Sequence, residues 1–302
     1  MSPHRADDRP QLFLIAGPTA SGKSRRAVAL AHAMERRGDR AVIINADSAQ
    51  MYADLSILTA RPTAAEMGGV PHRLYGVWDG ARPGSAGRYA ALAVEAIDDA
   101  HAAGAVPILV GGTGLYLRAV LEGLAPVPDV DPVIRAEVRR LPQDEAWAAL
   151  LREDPPIAAS LNPNDASRTQ RALEVKRSTG RSLRHWRAVR TGGLGHRVAT
   201  TAEVLLPNRD SLYACCDSRV TRMFESGAVA EVERLLARRL PPELPVMRAI
   251  GVPQIAALLR GERTLESALE QTRLATRQYA KRQYTWFRHS APAHWQRFGP
   301  AC

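Results

Sequence analysis

The sequence predicts an α/β protein, a parallel sheet with a phosphate-binding loop and flanking helices, into which an all-helical domain is inserted. Three observations predict this class. First, a phosphate-loop pattern lies between an apolar run and an Ala-rich segment. Second, strand-like apolar runs alternate with helix-like segments before residue 125 and occur again after residue 196. Third, residues 126–195 contain no strand-like apolar run. We therefore expect a catalytic core of residues 8–125 and 196–302, ending in basic helices, and an inserted helical domain of residues 126–195.

Length and composition set the outer limits. With 302 residues, 45% of them hydrophobic, the chain can bury a substantial core in one large or two modest domains. It has no run of eighteen apolar residues, and residues 1–10 are polar and mixed in charge, so we expect no membrane partner and a cytoplasmic location. The three cysteines, Cys215, Cys216 and Cys302, have a spacing that suits neither disulfides nor a metal site.

The net charge of +10 comes largely from arginine. An excess of this size favours a polyanionic partner through phosphate contacts and counterion release. A compositional bias toward arginine explains the charge equally well, so charge alone does not identify the partner.

The phosphate-loop pattern consists of two glycines with four residues between them, followed by lysine and a hydroxyl residue. The apolar residues 12–16 predict a buried strand before it, and residues 24–34 predict a helix after it. Backbone N–H groups at such a helix N-terminus bind anions, the lysine reaches the outer phosphate, and the hydroxyl of Ser24 helps to hold Mg²⁺. The predicted phosphate-binding residues are Gly17, Pro18, Thr19, Ala20, Ser21, Gly22, Lys23 and Ser24.

A second short apolar run, residues 41–46, ends directly at Asp47. Ligands of open parallel sheets bind at the carboxyl ends of the strands, so Asp47 should face the same crevice as the phosphate loop. Three roles remain open for it: a metal-holding acid in a kinase or hydrolase, a base that takes a proton from an incoming nucleophile, or a helix cap.

Residues 55–87 are rich in Gly, Pro and Ala and predict loops around short elements, with His72 as a hydrogen-bonding loop residue, and residues 90–103 predict a helix. Residues 106–110 predict a third buried strand that runs into two glycines and Thr113. Glycines at a strand end permit close backbone approach to a ligand, and Thr113 should project toward the crevice. A simple helix cap is the alternative for Thr113.

The predicted insert contains many arginines at helical spacing. Arg135 and Arg139 share one helix face, and Arg168 and Arg171 share another. Solvated helix faces explain this spacing as easily as nucleic-acid contacts do.

Beyond the insert, residues 202–207 predict a strand that completes the sheet. Helices are predicted at 209–224, which carries Arg219, at 229–239, and, as one or two segments, at 265–288; residues 248–253 predict a loop and residues 292–302 a tail. The last helical segment interleaves arginines and a lysine with aromatic residues, which suits a nucleic-acid surface, although core packing explains many of the aromatics.

Taken together, the motifs resemble those of the tRNA dimethylallyltransferases, and they follow the family's order across nearly the whole chain. The phosphate loop alone is shared by many enzymes, whereas the ordered set is specific. The matching segments after the loop are Asp47-Ser48-Ala49-Gln50-Met51-Tyr52, Thr59-Ala60-Arg61-Pro62, Pro71-His72-Arg73, Gly111-Gly112-Thr113-Gly114-Leu115-Tyr116, Asn164-Asp165, Arg171-Ala172-Leu173-Glu174-Val175, Ala275-Thr276-Arg277-Gln278 and Lys281-Arg282-Gln283.

The resemblance implies transfer of a dimethylallyl group from dimethylallyl diphosphate to N6 of the adenosine 3′ to the anticodon in tRNA. It implies that the phosphate loop and Mg²⁺ stabilise the diphosphate leaving group, and that Asp47, Thr113 and Arg219 are catalytic. The target adenine must leave its stack to reach a buried crevice. It also implies contacts with the anticodon stem-loop from Asp47, Ser48, Ala49, Gln50, Thr113, Arg135, Ser167, Arg168, Thr169, Gln170, Arg171, Arg248 and Gly251.

The chain departs from the family pattern at Leu58, Cys215 and Val252, where many members carry glycine, arginine and tyrosine, and these departures concern details of tRNA contact. Two other enzymes remain as alternatives, a small-molecule kinase that binds ATP in the same loop and an isopentenyltransferase that acts on free adenine nucleotides. Neither accounts for the Arg-rich insert and the basic C-terminal helix. We expect a monomer.

Overall fold

The computed structural model describes residues 8–299, so Cys302 and the first seven residues lie outside the described part of the chain. Its centre is a six-stranded sheet in which every neighbouring pair is parallel. The strands are β1 (Gln11–Ala16), β2 (Arg40–Asn45), β3 (His72–Arg73), β4 (Ala105–Gly111), β5 (Ala199–Leu205) and β6 (Gln296–Phe298), in the spatial order β3-β2-β4-β1-β5-β6. The predicted fold class is confirmed.

The described chain forms two compact units. The first consists of residues 8–121 and 194–299 and holds the sheet. Its helices are α1 (Lys23–Glu35), α2 (Ala64–Met67), α3 (Ala86–Ala102), α4 (Gly114–Glu122, of which the last residue belongs to the second unit), α10 (Arg209–Glu225), α11 (Ala228–Ala237), α12 (Val252–Leu259) and α13 (Leu265–His289).

The sheet is covered on both faces because successive residues of its central strands are apolar, so that each face of a strand carries apolar side chains. In β1, Leu12 and Leu14 belong to a large hydrophobic cluster on one face, and Ile15 belongs to a second cluster on the other. Ile43 and Ile44 of β2 divide in the same way. Near-continuous apolar runs of this kind are what a parallel sheet between two helical layers requires.

The strand order places the beginnings of three loops next to one another, at the carboxyl edge of the sheet. β4 lies between β1 and β2, so the phosphate loop, Asp47 and the Gly112–Thr113 turn all leave neighbouring strand ends. Gly111 can only be glycine, because a Cβ there would lie 2.1 Å from the Ala46 carbonyl oxygen. The carboxyl edge of the sheet is therefore the place to look for a ligand site.

Three segments differ from the sequence-based prediction. Residues 72–73 form an edge strand of the sheet rather than a loop, because they pair with Ile43 and Ile44. The predicted loop at residues 248–253 is limited to residues 249–251, because a 3-10 turn, Pro245–Arg248, ends before them and α12 begins at Val252, where Pro253 suits the first helical turn.

The last helical segment is one helix of 25 residues, and the predicted tail contains β6. β6 is short, and all three of its residues are exposed, so it carries no apolar signal. It is an edge strand that pairs only with β5 among the strands described.

The second unit, residues 122–193, is helical. A two-residue bridge between Leu124 and Thr191 joins its two ends. Its core contains Val138, Leu150 and Leu173, which come from different helices. The helices are α5 (Pro132–Arg140), α6 (Gln143–Glu153), α7 (Pro155–Ala158), α8 (Ala166–Thr179) and α9 (Leu183–Arg187).

None of the helices between residues 8 and 299 is long and apolar enough to cross a membrane.

Candidate functional site

The phosphate loop has the backbone conformation that its glycines allow. Gly17 and Gly22 both have positive φ, 149° and 82°, and Ala20 adopts a left-handed conformation at φ 61°. A Cβ at Gly17 would lie 2.5 Å from the carbonyl oxygen of Leu205, so no larger residue fits beside β5. The loop therefore wraps closely around the N-terminus of α1, which begins at Lys23.

Lys23 lies within this loop and is largely removed from solvent. Its Nζ donates a hydrogen bond to the Pro18 carbonyl, 2.7 Å away, which leaves two of its three protons for a ligand. Burial lowers its pKa from 10.5 to about 8; the charge of Asp47 acts in the opposite direction, and Arg219 adds to the decrease. The side chain is thus a poorly hydrated cation, which an anion in the loop would stabilise.

Asp47 is held by a buried neighbour. The side chain of Asn45, fully buried, donates to the carbonyl oxygens of Asp47 and Leu74 at 3.0 Å and accepts from the Asp47 N–H at 2.8 Å. One carboxylate oxygen of Asp47 accepts from the Ala49 N–H at 3.0 Å. The carboxylate therefore closes a local turn and does not cap a helix, so the predicted cap role is wrong.

Thr113 lies beside this turn rather than capping α4 with its side chain. Its hydroxyl oxygen accepts from the Ser48 N–H at 3.1 Å, and its own N–H donates to the Ala46 carbonyl at 3.3 Å. Tyr279 of α13 lies next to Thr113, and burial together with the charge of Asp47 raises the pKa of this tyrosine well above its usual range. Tyr279 is therefore neutral at physiological pH and keeps a hydroxyl proton to donate.

Arg219 reaches the loop from α10. Its guanidinium donates to the Thr19 hydroxyl, and burial lowers its pKa. The Nε atom of Arg219 is buried and has no hydrogen-bond partner among residues 8–299. Because an unpaired buried donor is costly, it is a group that an anionic ligand would satisfy. Lys23 and Arg219 thus present two poorly hydrated cations to one loop.

Two cavities meet at these residues. The first, about 660 Å³, is lined by the phosphate loop from Thr19 onward and by α1, Gln50 and Tyr75. The second, about 380 Å³, is lined by Ser48, Ala49 and residues of α10 and α13. Both cavities are lined by Thr19, Asp47, Thr59 and Arg219.

Three aromatic rings are part of the lining of the second cavity. They belong to Tyr52, Tyr116 and Tyr279, and the cations Arg248 and Arg282 line it as well. Tyr116 is backed by Tyr89, whose ring stacks on it with centroids 4.0 Å apart. Flat apolar walls with cations among them are suited to a nucleobase and its phosphates.

The other predicted contact residues of this unit have structural roles. Gln50 donates to the carbonyl oxygens of Thr59 and Ala60, at 2.9 and 3.0 Å, and faces the first cavity rather than the second. Gly251 precedes α12 with φ 97°, and a Cβ there would approach the Leu58 side chain to 2.6 Å. A larger residue at position 251 would therefore clash with Leu58, which gives Gly251 a steric role.

The remaining predicted contacts lie in the second unit, on α5 and α8. Arg135, Arg139 and Arg171 surround the buried carboxylate of Glu174, with N–O distances of 4.0, 3.0 and 3.7 Å. Arg168 pairs with Asp165 at 3.2 Å. Of the other three residues of this segment, Ser167 is exposed, Gln170 is half-buried and Thr169 is buried next to the Gln143 side chain. The predicted arginines thus form one cationic cluster.

Sequence reasoning missed the polar face of α13 that lines the second cavity. Thr272, Thr276 and Tyr279 line that cavity, and Gln283 continues their helical spacing and is buried. The sequence signal for this face is a polar stripe with a period of three to four, and the arginines and lysine interleaved with it mask the stripe. Arg273 and Arg277, by contrast, bond to residues of α10 and to Glu270.

Comparison with known proteins identifies the family. The family model for IPP transferase matches residues 50–290, and a Zeta toxin model matches residues 2–63. The chain belongs to the IPP transferase family. This membership confirms the resemblance that the ordered motifs indicate.

Several relatives are similar over nearly their whole length. A tRNA dimethylallyltransferase from Erythrobacter litoralis is 58% identical, and the match covers 98% of this chain and 93% of the relative. A tRNA dimethylallyltransferase from Zymomonas mobilis is 49% identical, with the same coverage.

Solved structures of the family have the same fold. A full-length tRNA isopentenylpyrophosphate transferase from Bacillus halodurans aligns with a TM-score of 0.69 at 33% identity, over 96% of this chain and 90% of that one. A eukaryotic dimethylallyltransferase acting on tRNA aligns with a TM-score of 0.78 at 29% identity, over 92% and 70% of the two chains.

Proposed function

We propose that this IPP transferase family member transfers a dimethylallyl group from dimethylallyl diphosphate to N6 of the adenosine that follows the anticodon in tRNA. The observation that carries the proposal is the junction of the two cavities at Thr19, Asp47 and Arg219. One cavity has a phosphate cradle and the other has aromatic walls. A donor and an acceptor entering from different sides would meet at that junction.

The first cavity is the proposed donor site. Amides of the loop other than that of Thr19, together with Lys23 and Arg219, would bind the diphosphate, since both cations are poorly hydrated and Arg219 has an unpaired Nε. As the bond to the allylic carbon breaks, negative charge develops on the leaving oxygen. Groups already aimed at that oxygen stabilise it without reorganisation.

The second cavity is the proposed acceptor site. Its volume of about 380 Å³ suits a single flipped purine, and Tyr52, Tyr116 and Tyr279 offer faces for stacking. Arg248 and Arg282 would contact the phosphates on either side of the flipped nucleotide.

The proposed reaction is a substitution at the first carbon of the dimethylallyl group. The N6 lone pair forms a bond to that carbon, the carbon–oxygen bond breaks, and its electron pair leaves with the diphosphate. N6 then loses one proton, and Asp47 accepts it or orients the amine. Asn45 holds the Asp47 backbone, and the Ala49 N–H donates to the carboxylate and orients it for this role.

Magnesium fits the donor set on the chemistry of its ligands. Ser24 and Asp47 line the first cavity with hydroxyl and carboxylate oxygens, which Mg²⁺ prefers. In the described part of the chain no group of three or more His, Cys, Asp or Glu side chains could hold a metal. The hydroxyl of Ser24 would therefore share the ion with the donor's oxygens and water, and the ion would neutralise charge on the diphosphate.

Binding of tRNA is supported by the arginines of the second unit. Burial and the nearby Arg168 and Arg171 lower the pKa of Arg187, which shows that these cations repel one another. A polyanion would relieve that repulsion. Arg135 and the 167–171 segment are thus proposed to contact the anticodon stem-loop.

The proposal is tested with two acceptors. The purified protein, Mg²⁺ and radiolabelled dimethylallyl diphosphate are incubated either with unmodified tRNA whose anticodon is followed by adenosine or with AMP. We expect label in the tRNA and none in AMP. Transfer to AMP but not to tRNA would refute the proposal in favour of an enzyme for free nucleotides, and phosphate transfer from ATP without prenyl transfer would refute it in favour of a kinase.

A further inference from the structure

Gln283 occupies an unusual place for an amide side chain. It lies on α13, its side chain is buried with 6% exposure, and both ends are paired with backbone groups. Its Oε1 accepts from the Thr19 N–H at 2.7 Å, and its Nε2 donates to the Gly112 carbonyl at 2.8 Å. One side chain thus joins the phosphate loop to the turn after β4.

Both residues that Gln283 binds, Thr19 and Gly112, are directly connected to residues of the proposed active site. The Thr19 hydroxyl accepts from Arg219, and Gly112 precedes Thr113, whose hydroxyl accepts from the Ser48 N–H. The contact is close, because a Cβ at Gly112 would lie 2.4 Å from the Gln283 Nε2. The pairing of β1 with β4 reaches Ala16 and Gly111. Beyond that pair, the Gln283 amide bonds to both the loop and the turn and so contributes to their spacing.

We propose that Gln283 is a positioning residue for the group transfer, which sets the distance between the diphosphate cradle and the Asp47–Thr113 side of the site. The inference rests on the proposed function and deepens it. It also assigns the Thr19 N–H to Gln283, so that this amide is not a donor to the diphosphate. Small displacements of reacting groups lower rates steeply, since substitution requires an aligned approach.

The anchoring of α13 does not depend on Gln283. Ala280 and Phe287 are fully buried on either side of it, and Arg277 binds Asp217 of α10 at 2.7 Å. A purely structural Gln283 would therefore affect the folded fraction alone. A positioning Gln283 changes the kinetics of correctly folded enzyme.

The test uses Gln283→Glu and Gln283→Met, with Gln278→Glu as the matched control. Gln283→Glu keeps the acceptor for Thr19 but turns an oxygen toward the Gly112 carbonyl, and Gln283→Met removes both bonds at similar size. Gln278 lies on the same helix and is exposed. We expect kcat for prenyl transfer to fall roughly 100-fold in both Gln283 variants, with KM for tRNA within about twofold of wild type. The control should match wild type.

Binding of inorganic diphosphate with Mg²⁺, measured by calorimetry on the same proteins, tests the inference without prenyl transfer. We expect the Gln283 variants to bind diphosphate about tenfold more weakly, because each loses a buried hydrogen bond that shapes the phosphate cradle. If wild type binds diphosphate but transfers no prenyl group, the proposed function fails, and weaker binding by the variants still supports the role of Gln283. The role of Gln283 would be overturned if the variants bound diphosphate and had a kcat equal to those of wild type per folded molecule. It would also be overturned if KM for tRNA were the only parameter that changed.

Discussion

Replacing Lys23 with methionine removes a charge that destabilises the folded protein in the absence of donor. Burial is the main reason that the pKa of Lys23 falls from 10.5 to about 8. Methionine has a similar length and no charge. We therefore expect the donor-free Lys23→Met variant to be more stable than wild type at pH 7, although it loses a residue of the proposed active site.

The magnitude follows from the lowered pKa. Each pH unit corresponds to about 1.4 kcal/mol, so protonated Lys23 destabilises the folded state by ~3 kcal/mol at pH 7. Part of the side chain faces the first cavity, where solvent screens the charge and reduces this value. After loss of the hydrogen bond from Nζ to Pro18, worth about 1 kcal/mol, we expect a net gain of ~1–2 kcal/mol.

The pH dependence has a defined sign. The folded pKa lies below the unfolded one, so the unfavourable contribution is fully present below pH 8 and disappears as the pH rises from about 8 toward 10.5. In that window the folded lysine is neutral while the unfolded chain still binds the proton. Wild type should therefore gain stability relative to Lys23→Met between pH 7 and pH 9.5.

Urea denaturation at the two pH values, with and without inorganic diphosphate and Mg²⁺, checks these expectations. At a diphosphate concentration of about 100 times Kd, wild type should gain ~2.7 kcal/mol and the variant much less. Lys281→Met, at an exposed position of α13, is the control and should leave stability unchanged. A variant less stable than wild type at pH 7, or a difference that does not change with pH, would refute the reasoning.

Three further substitutions separate chemistry, binding and architecture. Asp47→Asn should lower kcat at least ~100-fold while tRNA affinity changes less than about twofold; equal losses in kinetics and filter binding would make Asp47 a tRNA anchor instead. Arg171→Ala should weaken tRNA binding and reduce the slope of log K against log salt by roughly one, with kcat at saturating tRNA unchanged, and an unaltered slope would contradict the phosphate contact. Glu231→Gln should lower the free energy of unfolding by about 1–3 kcal/mol, because the buried Glu231 carboxylate accepts four bonds from Ser56, Ile57 and Leu58. The exposed Glu233→Gln is its control, and equal unfolding midpoints for the two variants would contradict that role.

Sequence patterns predicted the central sheet well because its strands are buried on both faces. The runs that end at Ala16, Asn45 and Gly111 are nearly all apolar, and each is followed by a chemically distinctive residue. β3 and β6 carried no such signal, since they are two and three residues long and their pairing depends on β2 and β5. Edge strands of this kind are determined by the partner strand rather than by their own composition.

Sequence reasoning located the site residues that follow strands, but it missed those that α13 contributes. Lys23, Asp47 and Thr113 follow strands, so the rule that ligands bind at carboxyl ends located them. Tyr279 and Gln283 reach the same place from a helix more than 160 residues farther along the chain, and only the packing of α13 brings them there. Long-range packing of that kind has no local sequence signal beyond a polar stripe.

The phosphate loop alone does not distinguish a nucleotide from another diphosphate, because its amides and Lys23 recognise phosphate oxygens and nothing else. What distinguishes them is the surface across the junction. A kinase needs its acceptor hydroxyl beside the terminal phosphate, whereas here the cavity beyond Asp47 and Arg219 includes three tyrosines whose rings suit a nucleobase. In the proposed reaction, the same cradle that could bind a transferable phosphate would stabilise a leaving group, and the acceptor cavity would decide which chemistry the loop serves.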